Sequence, residues 1–100
     1  MSVLSLVTAR ISPERRHEVI GPYEQMVGAG LPDAIRETFL LVDLDDDQMA
    51  IATIWRSRED LETVRASSEE PFARRVLREA GGEPLAQFFE IVAEAPRSTA

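Results

Sequence analysis

Residues 35–67 read IRETFLLVDLDDDQMAIATIWRSREDLETVRAS, and this stretch decides the fold. It predicts one strand over residues 35–44, an acidic turn at 45–47 and a returning strand over 48–56. Both strands carry apolar side chains at successive as well as alternate positions, which is typical of a sheet with two covered faces. The helices of a 100-residue chain can cover one face, so we expect a second copy of the protein to cover the other.

The alternation of side chains in these two strands predicts which residues share a face. The first strand places on one face Ile35, Glu37, Phe39 and Leu41, and on the other Arg36, Thr38, Leu40, Val42 and Leu44. The second strand places on one face Met49, Ile51, Thr53 and Trp55, and on the other Ala50, Ala52 and Ile54. The small residues of this last face predict that a helix packs closely against it.

The chain before this stretch predicts a strand followed by a helix. Residues 3–10 form an apolar run of strand length, and Ser12 and Pro13 then suit the N-cap and first turn of a helix. Pro22 lies inside that helix, where it removes one ladder hydrogen bond, so we expect a kink or break there. The apolar stripe of this helix consists of Val19, Ile20, Tyr23, Met26 and Val27.

The chain after the second strand predicts two short helices and a last strand. Ser57 is a suitable N-cap for a helix that ends near Ala66; a second helix ends at Gly81-Gly82, and residues 84–93 form the strand. The element order predicts an α+β, ferredoxin-like βαββααβ fold, with a four-stranded antiparallel sheet and helices on one face. We expect a single domain over residues 1–94 and a flexible tail over 95–100.

The composition excludes several classes of function. Eighteen acidic residues against eleven arginines give a net charge of -7, which disfavours nucleic acid and anionic membranes as partners. The chain has no Cys, so it offers neither a thiolate nucleophile nor a sulfur-ligated metal, and it has no Lys to form a Schiff base. Without a membrane-spanning run or a secretion signal, we expect a cytoplasmic protein. The prediction includes no metal and no cofactor.

Residues 51–57, IATIWRS, carry a resemblance to a known family. Together with Glu59, Leu61 and Ser67 they resemble the strand-Trp-x-Ser-helix signature of the antibiotic biosynthesis monooxygenases, and the resemblance extends from the first strand to Ile91. It implies a dimeric α/β barrel, in which two ferredoxin-like sheets pack face to face. The activities it implies are cofactor-independent oxygenation of a quinol or polyketide anthrone, and oxidative haem degradation.

Haem degradation is disfavoured by three positions. Haem-degrading relatives use an Asn on the first strand, a Trp in the helix after the strand Trp, and an axial His on the following helix. Aligned on Trp-x-Ser, the helix Trp falls near Val64 and the axial His near Val76, and the chain contains no Asn.

An oxygenase of this family would hold its substrate in a pocket between the sheet and the helices. We expect the wall and hydrogen-bond donors of that pocket to be Trp55, Tyr23, Phe39, Phe72, Gln87 and Thr38. Structural roles stay open: Trp55 also suits a core anchor, and Tyr23 also suits a cap on the core. Gln87 and Glu90 interrupt an apolar strand and would need polar partners if buried, at a sheet edge, a dimer interface or a pocket.

The catalytic residues are left unassigned, because no acid-base pair stands out. His17 lies in a polar run early in the first helix, where a solvated side chain is expected. The leading hypothesis is a small homodimeric oxygenase that acts without a cofactor on an aromatic, polyketide-like substrate. The alternatives are a dimer that binds a small ligand without catalysis, a purely structural dimer, and a cyclase or isomerase on the same fold.

Overall fold

Four strands form one antiparallel sheet in the order β2-β3-β1-β4. The structure is a computed structural model that describes residues 2–95. The strands are β1 (Val3–Arg10), β2 (Ile35–Val42), β3 (Gln48–Trp55) and β4 (Leu85–Glu90). The first strand therefore lies in the interior of the sheet, between the third and the last.

The helices pack on one face of this sheet. A single 3-10 turn (Pro13–Arg15) precedes α1 (His17–Gly28), and α2 (Arg58–Ala66) and α3 (Phe72–Glu79) connect β3 to β4. This arrangement confirms the predicted α+β, ferredoxin-like fold with a four-stranded antiparallel sheet. The association of two such sheets into a dimeric barrel stays a prediction. Among residues 2–95, no helix is both long and apolar enough to cross a bilayer.

The core lies between the sheet and the helices. Val19 of α1 and Leu77 of α3 are fully buried against Met49 and Ile51 of β3 and Val7 of β1. Residues 49 and 51 lie on the face of β3 that also carries Trp55, because the side chains of a strand alternate. The prediction that a helix packs against the small-residue face of β3 is therefore wrong. The larger side chains fill the space below the helices, and the small ones lie on the opposite face.

A β-bulge changes the predicted faces of β2. Ile35 pairs with Trp55 and Glu37 pairs with Ile54, so Arg36 is an extra residue between two consecutive pairs. The bulge places Ile35 on the same face as Thr38, whereas simple alternation predicts the opposite face. The strand ends at Val42, two residues earlier than predicted.

The start of α1 differs from its prediction at Ser12, and Pro22 does not interrupt the helix. Ser12 makes no side-chain cap hydrogen bond, because the 3-10 turn separates it from the start of α1 at His17. The helix then continues through Pro22 to Gly28, so the chain does not break at Pro22, and a kink there stays a prediction. Pro22 removes one ladder bond, while its fixed φ is compatible with helical backbone.

The face of the sheet without helices is apolar, and we call it the open face. It is formed by Leu4, Leu6, Phe39, Leu41, Ala50, Ala52, Ile54, Leu85 and Phe89, with the polar side chains of Thr8, Glu37 and Gln87 among them. Several of the large side chains are strongly exposed: Phe39 is 42% exposed, Phe89 49% and Leu85 71%.

The last strand is shorter than predicted, since β4 ends at Glu90. The chain beyond it is tied back to the sheet, because Ile91 N–H donates to the Ser2 carbonyl at 3.0 Å and Arg36 pairs with Glu94 at 2.7 Å. Of the predicted flexible tail, only Ala95 belongs to the described residues, and 96–100 lie outside them.

Candidate functional site

A cavity of about 110 Å³ lies between the helix-covered face of the sheet and the three helices. The sheet contributes to its wall Ser5, Ile35, Thr38, Thr53, Trp55 and Phe88. The helices contribute Met26, Leu61, Val64, Phe72 and Arg74. The wall is predominantly apolar, with hydroxyl groups from the sheet and two arginines, Arg65 and Arg74, from the helices. This combination is typical of a site that binds a small organic molecule.

Trp55 is held at the end of β3 by a hydrogen bond from its own ring. Its indole Nε1–H donates to Ser5 Oγ at 2.9 Å, and Ser5 is buried on the neighbouring strand β1. The indole has a single donor, and this bond uses it. Trp55 therefore presents its ring to the cavity as an apolar wall in a fixed orientation, and it also joins β1 to β3 at their ends.

Three hydroxyl groups form a cluster beside the indole, which we call the hydroxyl cluster: Tyr23, Thr38 and Thr53. Thr38 Oγ1 donates to the Ala52 carbonyl at 3.2 Å and lies 3.3 Å from Thr53 Oγ1. Tyr23 Oη donates to Thr38 Oγ1 at 3.5 Å, which joins α1 to the sheet. Once Thr38 gives its proton to the carbonyl, it accepts from the other two hydroxyls.

The structure brings four of the six predicted pocket residues together. Trp55, Phe72 and Thr38 line the cavity, and Tyr23 is bonded to its wall through Thr38. Phe39 and Gln87 do not line it, because the registers of β2 and β4 place both on the open face. Gln87 is also exposed, so a single chain provides no burial that would demand a polar partner.

Sequence reasoning did not select Ser5 and Thr53 for the site. The strand pattern contained a signal for Ser5, since a polar residue stands at an alternate position between the buried Val3 and Val7. Thr53 shares its predicted face with Trp55, and both residues pair with the buried side of β1. A buried hydroxyl needs a partner, so these two positions point to the polar part of the wall.

Two arginines of the wall differ in their partners. The Arg65 guanidinium carbon lies 4.4 Å from the centre of the Phe88 ring, and its Nη1 binds Glu62 at 3.1 Å. Arg74 is half-buried and forms no ion pair with a carboxylate of residues 2–95. Of these two arginines, only Arg65 has a carboxylate partner among residues 2–95.

The titratable groups with clear shifts lie outside the cavity. Hydrogen bonds from Arg15, Arg10 and Arg78 lower the pKa values of Glu18, Asp46 and Glu70, respectively. These are exposed surface pairs, and none of the three carboxyl groups lines the cavity.

The described wall of the cavity contains neither a carboxylate nor an imidazole. His17 is exposed at the start of α1, and Glu90 is exposed at the end of β4. Within residues 2–95, no three His, Asp or Glu side chains are grouped as a metal site would require. Val64, where haem-degrading relatives have a Trp, lines the cavity, and Val76, at the axial His position, is buried in the core.

Comparison with known proteins gives structural matches only, since no family model and no curated protein matches the sequence. A candidate antibiotic biosynthesis monooxygenase from Deinococcus radiodurans superposes with a TM-score of 0.67 and 17% identity, over 98% of this chain and 99% of its own. SnoaB, a cofactor-independent oxygenase from Streptomyces nogalater, superposes with a TM-score of 0.61 and 15% identity, over 96% of each chain.

A third solved structure contains a ligand. The monooxygenase from the gene ActVA-Orf6 of Streptomyces coelicolor, in complex with nanaomycin D, superposes with a TM-score of 0.66 and 15% identity. The match covers 96% of this chain and 93% of the other. Identities this low show a common fold. The predicted resemblance is confirmed at that level, and the chain has the fold of the antibiotic biosynthesis monooxygenases.

Proposed function

We propose that this protein is a homodimer that binds an aromatic, polyketide-like molecule, such as an anthrone or a quinol, and promotes its oxygenation without a cofactor. The observation that carries the proposal is the cavity, in which the fixed indole of Trp55 and the ring of Phe72 share a wall with the hydroxyls of Thr38 and Thr53. Flat aromatic faces suit the rings, and hydroxyls suit phenol or quinone oxygens. The folds of SnoaB and the ActVA-Orf6 monooxygenase add support, since both proteins are oxygenases.

The substrate supplies the electrons in this reaction. Loss of a proton from the acidic methylene of an anthrone gives an enolate, which transfers its electrons to O₂ and forms a carbon-oxygen bond as a hydroperoxide. Loss of water from the hydroperoxide leaves a carbonyl, so one oxygen atom enters the product and the other leaves as water. No external reductant is needed.

The protein would contribute position and electrostatics. The hydroxyl cluster would stabilise the negative oxygen of the enolate, and the apolar wall would exclude water from the intermediates. Because the described wall holds no carboxylate or imidazole, deprotonation would depend on the acidity of the substrate itself. The same observation favours a second candidate function, a dimer that binds such a ligand without converting it.

The dimer is supported by the open face. Monomers rarely expose large contiguous apolar patches, and Phe39, Leu85 and Phe89 of this face are 42%, 71% and 49% exposed. A second copy with the same face would cover these side chains. The cavity lies on the opposite side of the sheet, so dimerisation would leave it accessible.

Oxygen uptake tests the proposed function. An oxygen electrode with a panel of anthrones and quinols should show saturable consumption above the uncatalysed rate. Replacement of Ala86, which lines the cavity, by Leu should reduce kcat/KM at least about tenfold, equivalent to about 1.4 kcal/mol of transition-state stabilisation. Ala29→Leu is the matched control, because Ala29 is exposed after the end of α1 and lies outside the cavity wall.

The outcomes separate the two candidate functions. The oxygenase is supported if oxygen uptake is saturable, if Ala86→Leu reduces it and if Ala29→Leu leaves it unchanged. Calorimetric binding of the same compounds without any oxygen consumption supports the non-catalytic dimer. Absence of both binding and uptake across the panel contradicts both functions.

A further inference from the structure

Arg74 lies in the first turn of α3 and lines the cavity. The helix begins at Phe72, whose ring forms part of the same wall, so the two side chains border one region of the cavity. Arg74 is half-buried, whereas its neighbour Arg75 is exposed, with its guanidinium carbon 5.6 Å from the centre of the Phe72 ring. Only Arg74 of these two is part of the wall.

The nearby acidic side chains are bound by other arginines. Glu62 accepts from Arg65 at 3.1 Å and lies 3.9 Å from Arg58. Both oxygens of Glu70 accept from Arg78, at 2.7 to 3.2 Å. The positive charge of Arg74 contributes to the lowered pKa of Glu70, after the larger effect of Arg78, but it forms no ion pair with that carboxylate.

The result is an arginine at the wall of an apolar cavity that forms no ion pair with a carboxylate of residues 2–95. A guanidinium presents five donors in a planar fork that matches a carboxylate, and it is always charged near neutral pH. Its attraction for an anion is stronger beside an apolar wall than in water, because the local dielectric constant is lower. The described wall contains no negative charge of its own, so a carboxylate that binds Arg74 in the cavity would belong to the ligand.

We propose that Arg74 is a specificity-determining residue that binds a carboxylate substituent of the ligand, so that the preferred ligands are polycyclic aromatic acids rather than neutral aromatics. This inference rests on the proposed function of the cavity. The rings would lie against Trp55 and Phe72, and the carboxylate would lie towards α3. Arg65 is not equivalent, since Glu62 neutralises it and its guanidinium is stacked on Phe88.

The test compares an acid with a neutral compound of the same ring system. Isothermal titration calorimetry would measure the dissociation constants of anthracene-9-carboxylate and 9-anthracenemethanol for the full chain at neutral pH. The acid should bind at least about tenfold more tightly, the scale of a single charge-assisted bidentate contact. Arg74→Gln should weaken the acid by that factor and leave the alcohol unchanged.

Two further variants control the result. Arg75→Gln removes an equal charge from the adjacent exposed position, and it should change neither dissociation constant. Arg74→Lys keeps the charge but loses the planar fork, so it should bind the acid with intermediate affinity. Urea unfolding of each variant verifies that the fold is retained, and Arg74→Lys provides the comparison if Arg74→Gln does not fold.

The possible results distinguish this inference from the function on which it depends. Equal affinity of the native chain for the acid and the alcohol overturns the role of Arg74 and leaves the cavity as a binding site. Equal weakening of both ligands by Arg74→Gln also overturns it, because the residue would then have only a structural role. Failure of both compounds to bind the native chain overturns the binding function and the inference together.

Discussion

Trp55 combines two roles that are often treated as alternatives. Its Nε1–H bond to Ser5 joins two strands, and its ring forms part of the cavity wall. Because the indole donor is already used, the residue can recognise a ligand by its face and not by its N–H. An anchor and a pocket wall are therefore compatible in the same side chain.

Replacement of Ser5 by Ala should destabilise the protein by about 1 to 3 kcal/mol, because the half-buried indole N–H loses its acceptor. Urea unfolding measures the change. In a Trp55→Phe background the same replacement should cost much less, since no N–H remains to be left unpaired. An equal cost in both backgrounds would show that Ser5 acts through packing alone, contrary to this account.

The sheet residues that line the cavity lie on the face that strand alternation gives to Trp55. Phe39 and Gln87, which were also expected in the pocket, lie on the open face. Thr53 and Trp55 lie on one face of β3, as the alternation predicts. Phe39 and Gln87 were selected for their chemical type, although the face that each occupies is decided by pairing. The bulge at Arg36 is harder to foresee, since a single extra residue in a strand leaves no clear pattern in one sequence.

At the scale of elements, two serines with similar sequence contexts behave differently. Ser57 caps α2 in both directions, accepting from Asp60 N–H at 3.1 Å and donating to its carboxylate at 2.9 Å. Ser12 also precedes a helical segment, but the first turn there is 3-10 and no cap bond forms. The sequence predicts an N-cap at both serines, but only Ser57 forms the cap hydrogen bond.

Ser57→Ala should lower the free energy of unfolding by about 1 kcal/mol, as is typical for the loss of an N-cap oxygen. Ser12→Ala is the matched control and should change it by a few tenths at most, since Ser12 is exposed and makes no cap bond. Chemical denaturation of the two variants in parallel provides the comparison. Equal losses would contradict the difference between the two helix starts.

Most of the element boundaries could be predicted because their signals are local. The strand Val3–Arg10 and the helix ending at Ala66 match the prediction, since an apolar run and an N-cap mark them. The last strand ends three residues earlier than predicted because apolar residues continue beyond Glu90, where pairing with β1 ends. Apolar character does not identify where a neighbouring strand ends.

At the scale of the whole molecule, one sheet separates two surfaces with different proposed tasks. The helix-covered face contains the cavity, and the open face contains exposed aromatic and aliphatic side chains. The order of elements and the two-sided apolar strands were sufficient to predict the fold. The partner of the open face lies outside a single chain, so it stays a proposal.

Phe39→Asp should convert the proposed dimer to a monomer, because a carboxylate in an apolar interface has no partner to replace its water. Val27→Asp is the matched control, since Val27 is also 42% exposed but lies on α1, away from the open face. Light scattering during size-exclusion chromatography would measure both masses. A native protein with the mass of one chain, or a dimer that survives Phe39→Asp, would contradict the proposed interface.

The interior position of β1 has a consequence for the order of events during synthesis. Val3–Arg10 is made first, yet its partners are Gln48–Trp55 and Leu85–Glu90, which are made much later. At about 5 to 20 residues per second, roughly 2 to 8 s pass between the completion of β1 and the first residue of β3. Throughout that interval β1 has no strand to pair with, so the sheet cannot begin to form around its central strand until the later half of the chain has been made.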